Sequence, residues 1–320
     1  TLGLCLAPLP HGTGTMTLDQ TTISGKMSAN MRGILLMIAA TMLLTTMSSL
    51  VRVVAEDMHP FQVAFMRNFF GLVLLMPILA RQGLAPLRTN NMGLMAVRGF
   101  FNAIAMLAYF LALGMMPLAE LSALSFTVPL FVAVLVVPFL GERLGPRRIA
   151  SLIIGFSGAL IILRPGIEIV DIGALYAIVS SLSWAIAVIV IKQLSRTNST
   201  VTITIYGMLF LALFTMVPAL FVWRWPDPQE YLWLVGIAGL GTVGQLAFAQ
   251  ALKNADASLI MPFDFTKLIW ASLFGILIFS EVPTIWTFAG GGLIFASASY
   301  VTYREGLAKK QKPAPSEPGL

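Results

Sequence analysis

Long apolar runs, each near the length of a bilayer crossing, alternate with short polar or proline-marked breaks along most of the chain. One crossing by an α-helix takes about 20 mostly apolar residues. The pattern predicts ten spans, at 33–54, 61–79, 92–113, 118–140, 148–163, 173–194, 201–222, 231–252, 257–279 and 284–303. Pro60, Pro117, Pro146, Pro165 and the Pro226/Pro228 pair punctuate the breaks.

The runs also repeat. LAYFLALGMMPLAELSALSFTVPL, from Leu107, aligns without a gap on LAFAQALKNADASLIMPFDFTKLI, from Leu246. Phe126 then matches Phe265, Thr127 matches Thr266, and Glu142 matches Glu281, all at a shift of 139 residues. At a shift of 140, Gly33 matches Gly173 and Arg52 matches Lys192. Internal duplication of this kind marks secondary transporters.

Composition fits a membrane setting. Apolar residues make up 58% of the chain and charged residues 11%, against about 25% charged in soluble domains. The formal charge of +6 is read as topology-setting Lys and Arg rather than a nucleic-acid surface. With the N-terminus in the cytoplasm, fourteen basic residues fall in inside segments and three, Arg52, Arg164 and Arg224, outside. That bias predicts a multi-pass protein of the cytoplasmic (inner) membrane with both termini cytoplasmic. Five spans per copy is an odd number, so the two copies enter the membrane from opposite sides. The expected class is an all-α integral membrane protein: ten transmembrane helices as two inverted five-helix repeats around a central cavity. The expected division is a disordered tail at 1–30, repeats at 31–165 and 166–304, and a disordered cytoplasmic tail at 305–320. Met27 or Met31 is an alternative start.

The second span reads FQVAFMRNFFGLVLLMP, the third begins MAVRGFFNAIAMLAYFLAL, and the fourth reads LAELSALSFTVPLFVAVLVVPFLGERL before GFSGALIILRPG. Together these resemble the drug/metabolite transporter superfamily, in its ten-helix EamA branch. The resemblance runs from Met31 to about Arg304. Its specific parts are F-x-x-x-F-x-R, L-A-E-x-x-A-L-S-F-x-x-P-L-F and the following Gly-Glu, which the second half carries only in degraded form. It implies a basket of helices around a cavity and solute movement without ATP. The absence of a G-x-x-x-x-G-K-[ST] loop agrees.

Charges inside a bilayer are functional candidates by default. Arg67 and Arg98 offer guanidinium forks for a substrate carboxylate or phosphate. Against this, Arg67 can bind loop carbonyls and Arg98 can snorkel to the interface. Asp264 and Lys267, three apart in the ninth span, share a helix face. They read either as an internal salt bridge or as a protonation switch on which substrate competes. Their first-repeat counterparts are Ser125 and Val128, so the pair is one-sided. Asn102 and Gln245 are amides away from span ends, and Tyr109 and Trp184 are rings able to stack on a flat solute. Interhelical bonds and packing are the plainer readings of all four. The expected substrate-binding set is thus Arg67, Arg98, Asn102, Tyr109, Ser125, Trp184, Gln245, Asp264 and Lys267. Glu120, Pro129, Glu142, Pro262 and Glu281 are the expected gating or structural residues, the prolines by freeing carbonyls.

No catalytic residue, metal ligand set or cofactor is expected. Both histidines, His11 and His59, fall outside the spans, and Cys5 is the lone cysteine. The expected partners are a small-molecule solute and the lipid bilayer, with no nucleic acid. Coupling to protons or to solute exchange stays open, as does a monomeric or homodimeric state. The leading function is secondary transport of a small metabolite with an anionic group: an amino acid, a nucleoside-like compound such as S-adenosylmethionine, or a flavin. The alternatives are a membrane receptor or assembly protein without transport, and an intramembrane enzyme.

Overall fold

A computed structural model describes residues 20–82, 91–140, 145–164, 172–198, 200–255 and 257–311, and all regular structure among them is helical. The elements are α1 (Gln20–Val54), α2 (Pro60–Gln82), α3 (Met92–Met115), α4 (Leu118–Ser125), α5 (Val128–Leu140), α6 (Pro146–Leu163), α7 (Ile172–Leu194), α8 (Thr200–Phe221), α9 (Pro228–Asn254), α10 (Ala257–Ile260), a 3₁₀ turn (Met261–Phe265), α11 (Thr266–Phe279) and α12 (Ile285–Gln311). They group into the ten expected segments. Helix reaches into both stretches expected as disordered tails, since α1 starts at Gln20 and α12 ends at Gln311.

Two of the ten segments are interrupted. The fourth segment is α4 plus α5, and the ninth is α10, the 3₁₀ turn and α11. At the first break the bonding tightens: Phe126 N–H donates to Ala123 O at 3.1 Å and Thr127 N–H to Leu124 O at 3.0 Å. The Thr127 hydroxyl donates to Leu124 O at 2.7 Å. Pro129, the second residue of α5, has no N–H for the Ser125 carbonyl, which removes one α-helical hydrogen bond at the break. Pro262 sits in the second break. The two breaks end within one residue of matching positions of the repeat, α5 beginning at Val128 and α11 at Thr266.

The packing follows the duplication. Helix α1 lies along α9 and touches α11, while α7 lies along α3 and touches α5. The repeat shift carries α1, α3 and α5 onto α7, α9 and α11, so these contacts exchange under it. Helix α2 meets its counterpart α8, and α6 meets α12. Two interlocked copies related by an approximate two-fold axis produce this pattern. Gly158 and Gly290 let α6 and α12 approach closely: a Cβ on Gly290 would lie 2.5 Å from Gly158 O and 2.6 Å from Ile162 Cγ1.

One end of the bundle, here the upper end, is tied by polar contacts. Arg52 at the end of α1 forms a two-point ion pair with Glu281 beyond α11, with Nη1 3.0 Å from Oε2 and Nη2 2.5 Å from Oε1. The same carboxylate accepts Leu118 N–H at the start of α4, at 3.2 Å. Ser280, with φ 57°, ends α11 in the left-handed conformation that turns the chain to Glu281. Nearby, Gln62 Nε2 donates to Arg224 O at 2.5 Å and Gln62 Oε1 accepts Arg224 N–H at 3.2 Å. Arg224 also pairs with Glu230, which raises the guanidinium pKa above its ordinary value.

Phe110, Leu113, Leu118, Leu121, Leu124 and Leu130 are buried at the centre, whereas Leu35, Val73, Leu160, Val217 and Phe221 face outward. An apolar outer coat suits a lipid surround. Six segments among the described residues, from Asn30–Val54 to Pro228–Asn254, are long and apolar enough to cross a membrane, and Pro60–Met76 and Ile149–Leu163 are shorter apolar helices.

Candidate functional site

The two broken segments meet at the middle of the bundle. Phe126, at the first break, stacks on Phe265, at the second, with centroids 5.7 Å apart and planes at 26°. Lys267 follows in the first turn of α11. Its Nζ donates to Ser125 Oγ at the end of α4, at 3.2 Å. It also stands over the Tyr109 ring of α3, 5.8 Å from the centroid. The Tyr109 hydroxyl lies 3.5 Å from Ser48 Oγ on α1. Thr41 of α1 and Thr266 of α11 share a hydrogen bond of 2.7 Å. Two elements of the first repeat, α3 and α4, thus contact the ammonium that α11 of the second repeat carries, and α1 packs beside them.

Asp264 does not close the expected salt bridge. Among the described residues no carboxylate oxygen lies within 4.0 Å of Lys267 Nζ. The hydrogen bond and the ring contact of Lys267 are to neutral groups, its charge is still felt at Asp264, and both residues are half-buried.

Arg67 and Gln245 come together elsewhere. They line a small cleft of about 40 Å³ between α2, α8 and α9, with Asn68 and Thr242 beside them. Arg67 Nη1 donates to Asn68 Oδ1 at 3.0 Å, and Asn68 Nδ2 donates to Thr215 Oγ1 at 3.4 Å. Arg98 is not part of either group. It donates to the Ile203 carbonyl of α8, about 16 Å along α3 from Tyr109 at 1.5 Å per residue. Trp184 is 37% exposed on α7 and joins neither group. Asn102 is half-buried on α3. Glu120 accepts a hydrogen bond from Thr287 Oγ1 of α12 at 3.4 Å. Glu281 holds the upper-end ion pair, and Glu142 lies outside the described residues. No group of three His, Cys, Asp or Glu able to hold a metal occurs among the described residues.

Both halves of the chain match the sequence pattern of the EamA-like transporter family, over residues 31–164 and 171–303. The chain belongs to this family. An EamA-like transporter moves small molecules across a membrane and is not an enzyme, and the protein is a multi-pass membrane protein of the drug/metabolite transporter superfamily. Among its relatives is an S-adenosylmethionine uptake transporter of Rickettsia bellii, 27% identical over 80% of this chain and 88% of the relative. A riboflavin transporter of Vibrio cholerae is 31% identical over 76% of this chain and 83% of that one. A pseudopaline exporter of Pseudomonas aeruginosa is 30% identical over 82% of this chain and 93% of that one. A crystal structure of 18% sequence identity superposes with a TM-score of 0.58, covering 88% of this chain and 99% of the other. That likeness concerns the fold alone.

Sequence reasoning missed Ser48 and the Thr41–Thr266 pair in the transporter's interior and the pairing of Arg52 at its upper end. A signal for the first two exists. Thr41, Thr45, Ser48 and Ser49 are all buried, and their spacing puts polar groups on one inward face of an otherwise apolar helix.

Proposed function

We propose that this EamA-like protein is a secondary-active transporter that moves a small organic metabolite with an anionic or strongly electronegative group by alternating access. Lys267 is the anchor for that group. The supporting observation is its setting: an ammonium with no carboxylate oxygen within 4.0 Å among the described residues, at the point where the broken segments of both repeats meet. A charge inside a bilayer is costly unless paired or hydrated, so a solute anion is the natural complement. Tyr109 offers a ring face for a flat solute, and Ser125 and Ser48 offer hydroxyls. Two inverted copies have two mirror-related ways of packing, one open to each side, and this is the physical basis of alternation. Relatives named for S-adenosylmethionine, riboflavin and pseudopaline support an organic metabolite as the cargo. The cytoplasmic membrane, with both termini inside, is the location that the charge bias supports.

The test begins with a thermal-shift screen of the purified protein against amino acids, nucleosides, S-adenosylmethionine, flavins and polyamines. A compound that stabilises it is then followed into proteoliposomes with and without a proton gradient. Lys267→Gln is expected to abolish flux while leaving the unliganded melting temperature within a few degrees. Wild-type flux in Lys267→Gln removes the anchor. Ligand binding by the wild type with no flux in sealed vesicles favours a receptor.

A further inference from the structure

One carboxylate joins three helices drawn from both repeats. Glu281, in the second repeat, pairs with Arg52 at the end of α1 and accepts Leu118 N–H at the start of α4. Both of these partners belong to the first repeat. The carboxylate is fixed to its own helix. Glu281 N–H donates to Gly275 O at 2.9 Å, past the left-handed Ser280, so the side chain moves with α11. The Arg52 guanidinium also lies over the Phe279 ring in the last turn of α11.

The same three helices surround the Lys267 anchor. Lys267 is on α11, it donates to Ser125 on α4, and Thr41 of α1 bonds Thr266 beside it. Helix α4 descends from Leu118 to Ser125 while α11 climbs from Lys267 to Glu281. Leu118 and Ser122 on α4, and Ala271 and Gly275 on α11, lie between the carboxylate and Lys267 along these helices. All four are buried. The approach to the anchor from the upper end is therefore shut, and Glu281 holds the helices that shut it.

The pair suits a contact that is made and broken. Arg52 and Glu281 are 18% and 21% exposed, so water reaches both and can take over their hydrogen bonds as the helices part. A fully buried pair would resist separation, since each charge would be left unpaired out of water. The sequence keeps the same charge types at the mirror positions: Lys192 matches Arg52, and Glu142 matches Glu281. A closure that inverted copies use in turn calls for that repetition.

We propose that Glu281 is the latch that closes the upper side of the transporter. The Lys267 anchor is reachable from that side only when the carboxylate releases Arg52 and Leu118. The inference rests on the transport reading above and gives the alternation a specific contact to break.

The test uses the full chain in membrane vesicles, with Cys5→Ser as the background and Ser122→Cys as the reporter. Ser122 is 1% exposed, and its hydroxyl has no hydrogen-bond partner among the described residues, so the thiol costs no contact. Glu56→Cys, at an exposed position beyond α1, marks the upper face. Vesicles of each orientation are treated with a membrane-impermeant maleimide. Ser122→Cys alone is expected to label at least tenfold more slowly than Glu56→Cys. Adding Arg52→Gln or Glu281→Gln is expected to raise the Ser122→Cys rate at least tenfold, from the upper face alone. The charge swap, Arg52→Glu with Glu281→Arg, is expected to lower it again. Gln62→Ala breaks the neighbouring bonds to Arg224 and controls for general loosening; it is expected to leave the rate within about twofold. An unchanged rate in both Gln variants, a rise from both faces alike, or an equal rise in Gln62→Ala overturns the latch. Failure of the transport reading looks different: no flux of any screened solute, with the one-sided, Glu281-dependent labelling intact.

Discussion

Phe126 and Phe265 occupy the same position in the two repeats, and they stack on each other, ring centroids 5.7 Å apart. Equivalent residues of a duplicated chain touch only where the axis relating the copies passes between them. The contact therefore places the pseudo-two-fold axis at the two helix breaks, one residue from Ser125 and two from Lys267. Phe295 closes the cluster, 4.7 Å from Phe265 and 5.9 Å from Phe126.

A double-mutant cycle measures that contact. Phe126→Leu and Phe265→Leu each remove a ring while keeping an apolar side chain. Aromatic pairs contribute about 0.5–1.5 kcal/mol beyond buried area. The coupling energy from denaturant unfolding in mixed micelles is expected in that range. Strictly additive losses would mean that the rings are neighbours without a specific interaction.

Tyr109 carries two separable contributions. Its ring lies under Lys267, and its hydroxyl makes only a long 3.5 Å contact with Ser48. Cation–π contacts are worth about 0.5–2 kcal/mol, and each 1.4 kcal/mol is tenfold in an equilibrium constant. Tyr109→Phe is expected to hold the solute half-saturation constant within about threefold, and Tyr109→Ala to raise it about tenfold. A loss in Tyr109→Phe as large as in Tyr109→Ala would assign the role to the hydroxyl.

What the sequence displayed of this architecture and what it hid follow from range. Apolar runs and prolines are local signals, and they locate the segments to within a few residues. The echo between Phe126 and Phe265 is a one-dimensional signal too, yet their direct contact is not, because only the fold brings the copies together. Pro129 and Pro262 were visible as perturbations. That they divide the helices, rather than merely loosen them, depends on the 3₁₀ bonding at Phe126 and Thr127. Arg67 stood out as a charge inside a span, but Thr242 and Gln245 join it only once α9 is laid against α2.

The glycines between α6 and α12 divide into tight and open positions. A Cβ at Gly290 would press on Gly158 O at 2.5 Å, whereas one at Gly292 would meet nothing within 4 Å. Backbone oxygen cannot give way as a side-chain tip can. Gly290→Ala is expected to destabilise by about 1–3 kcal/mol through overpacking. Gly292→Ala is expected to be neutral or slightly stabilising, since alanine has the higher helix propensity. Melting temperatures of the two variants under one set of detergent conditions decide this, and a similar loss in both would show that the α6–α12 approach is not limiting.

The upper-end ion pair makes a prediction that separates its charge from its hydrogen bonding. Arg52 and Glu281 are 18% and 21% exposed in their side chains, so water screens them only in part. Arg52 also sits 4.4 Å from the centroid of Phe279. Removing one partner leaves the other charge short of its hydrogen bonds, at a cost of roughly 1–3 kcal/mol. Arg52→Gln and Glu281→Gln are both expected to lower stability within that range. Glu281→Gln loses less, because its amide oxygen can still accept the Leu118 N–H. The swap, Arg52→Glu with Glu281→Arg, restores the attraction but deprives Leu118 of its acceptor, since arginine has none to offer. Recovery is therefore expected to be partial, about half of the single-site loss. Full recovery would show that the Leu118 bond contributes nothing. No recovery would show that the geometry around Ser280, and not the charge pair, joins α1, α4 and α11.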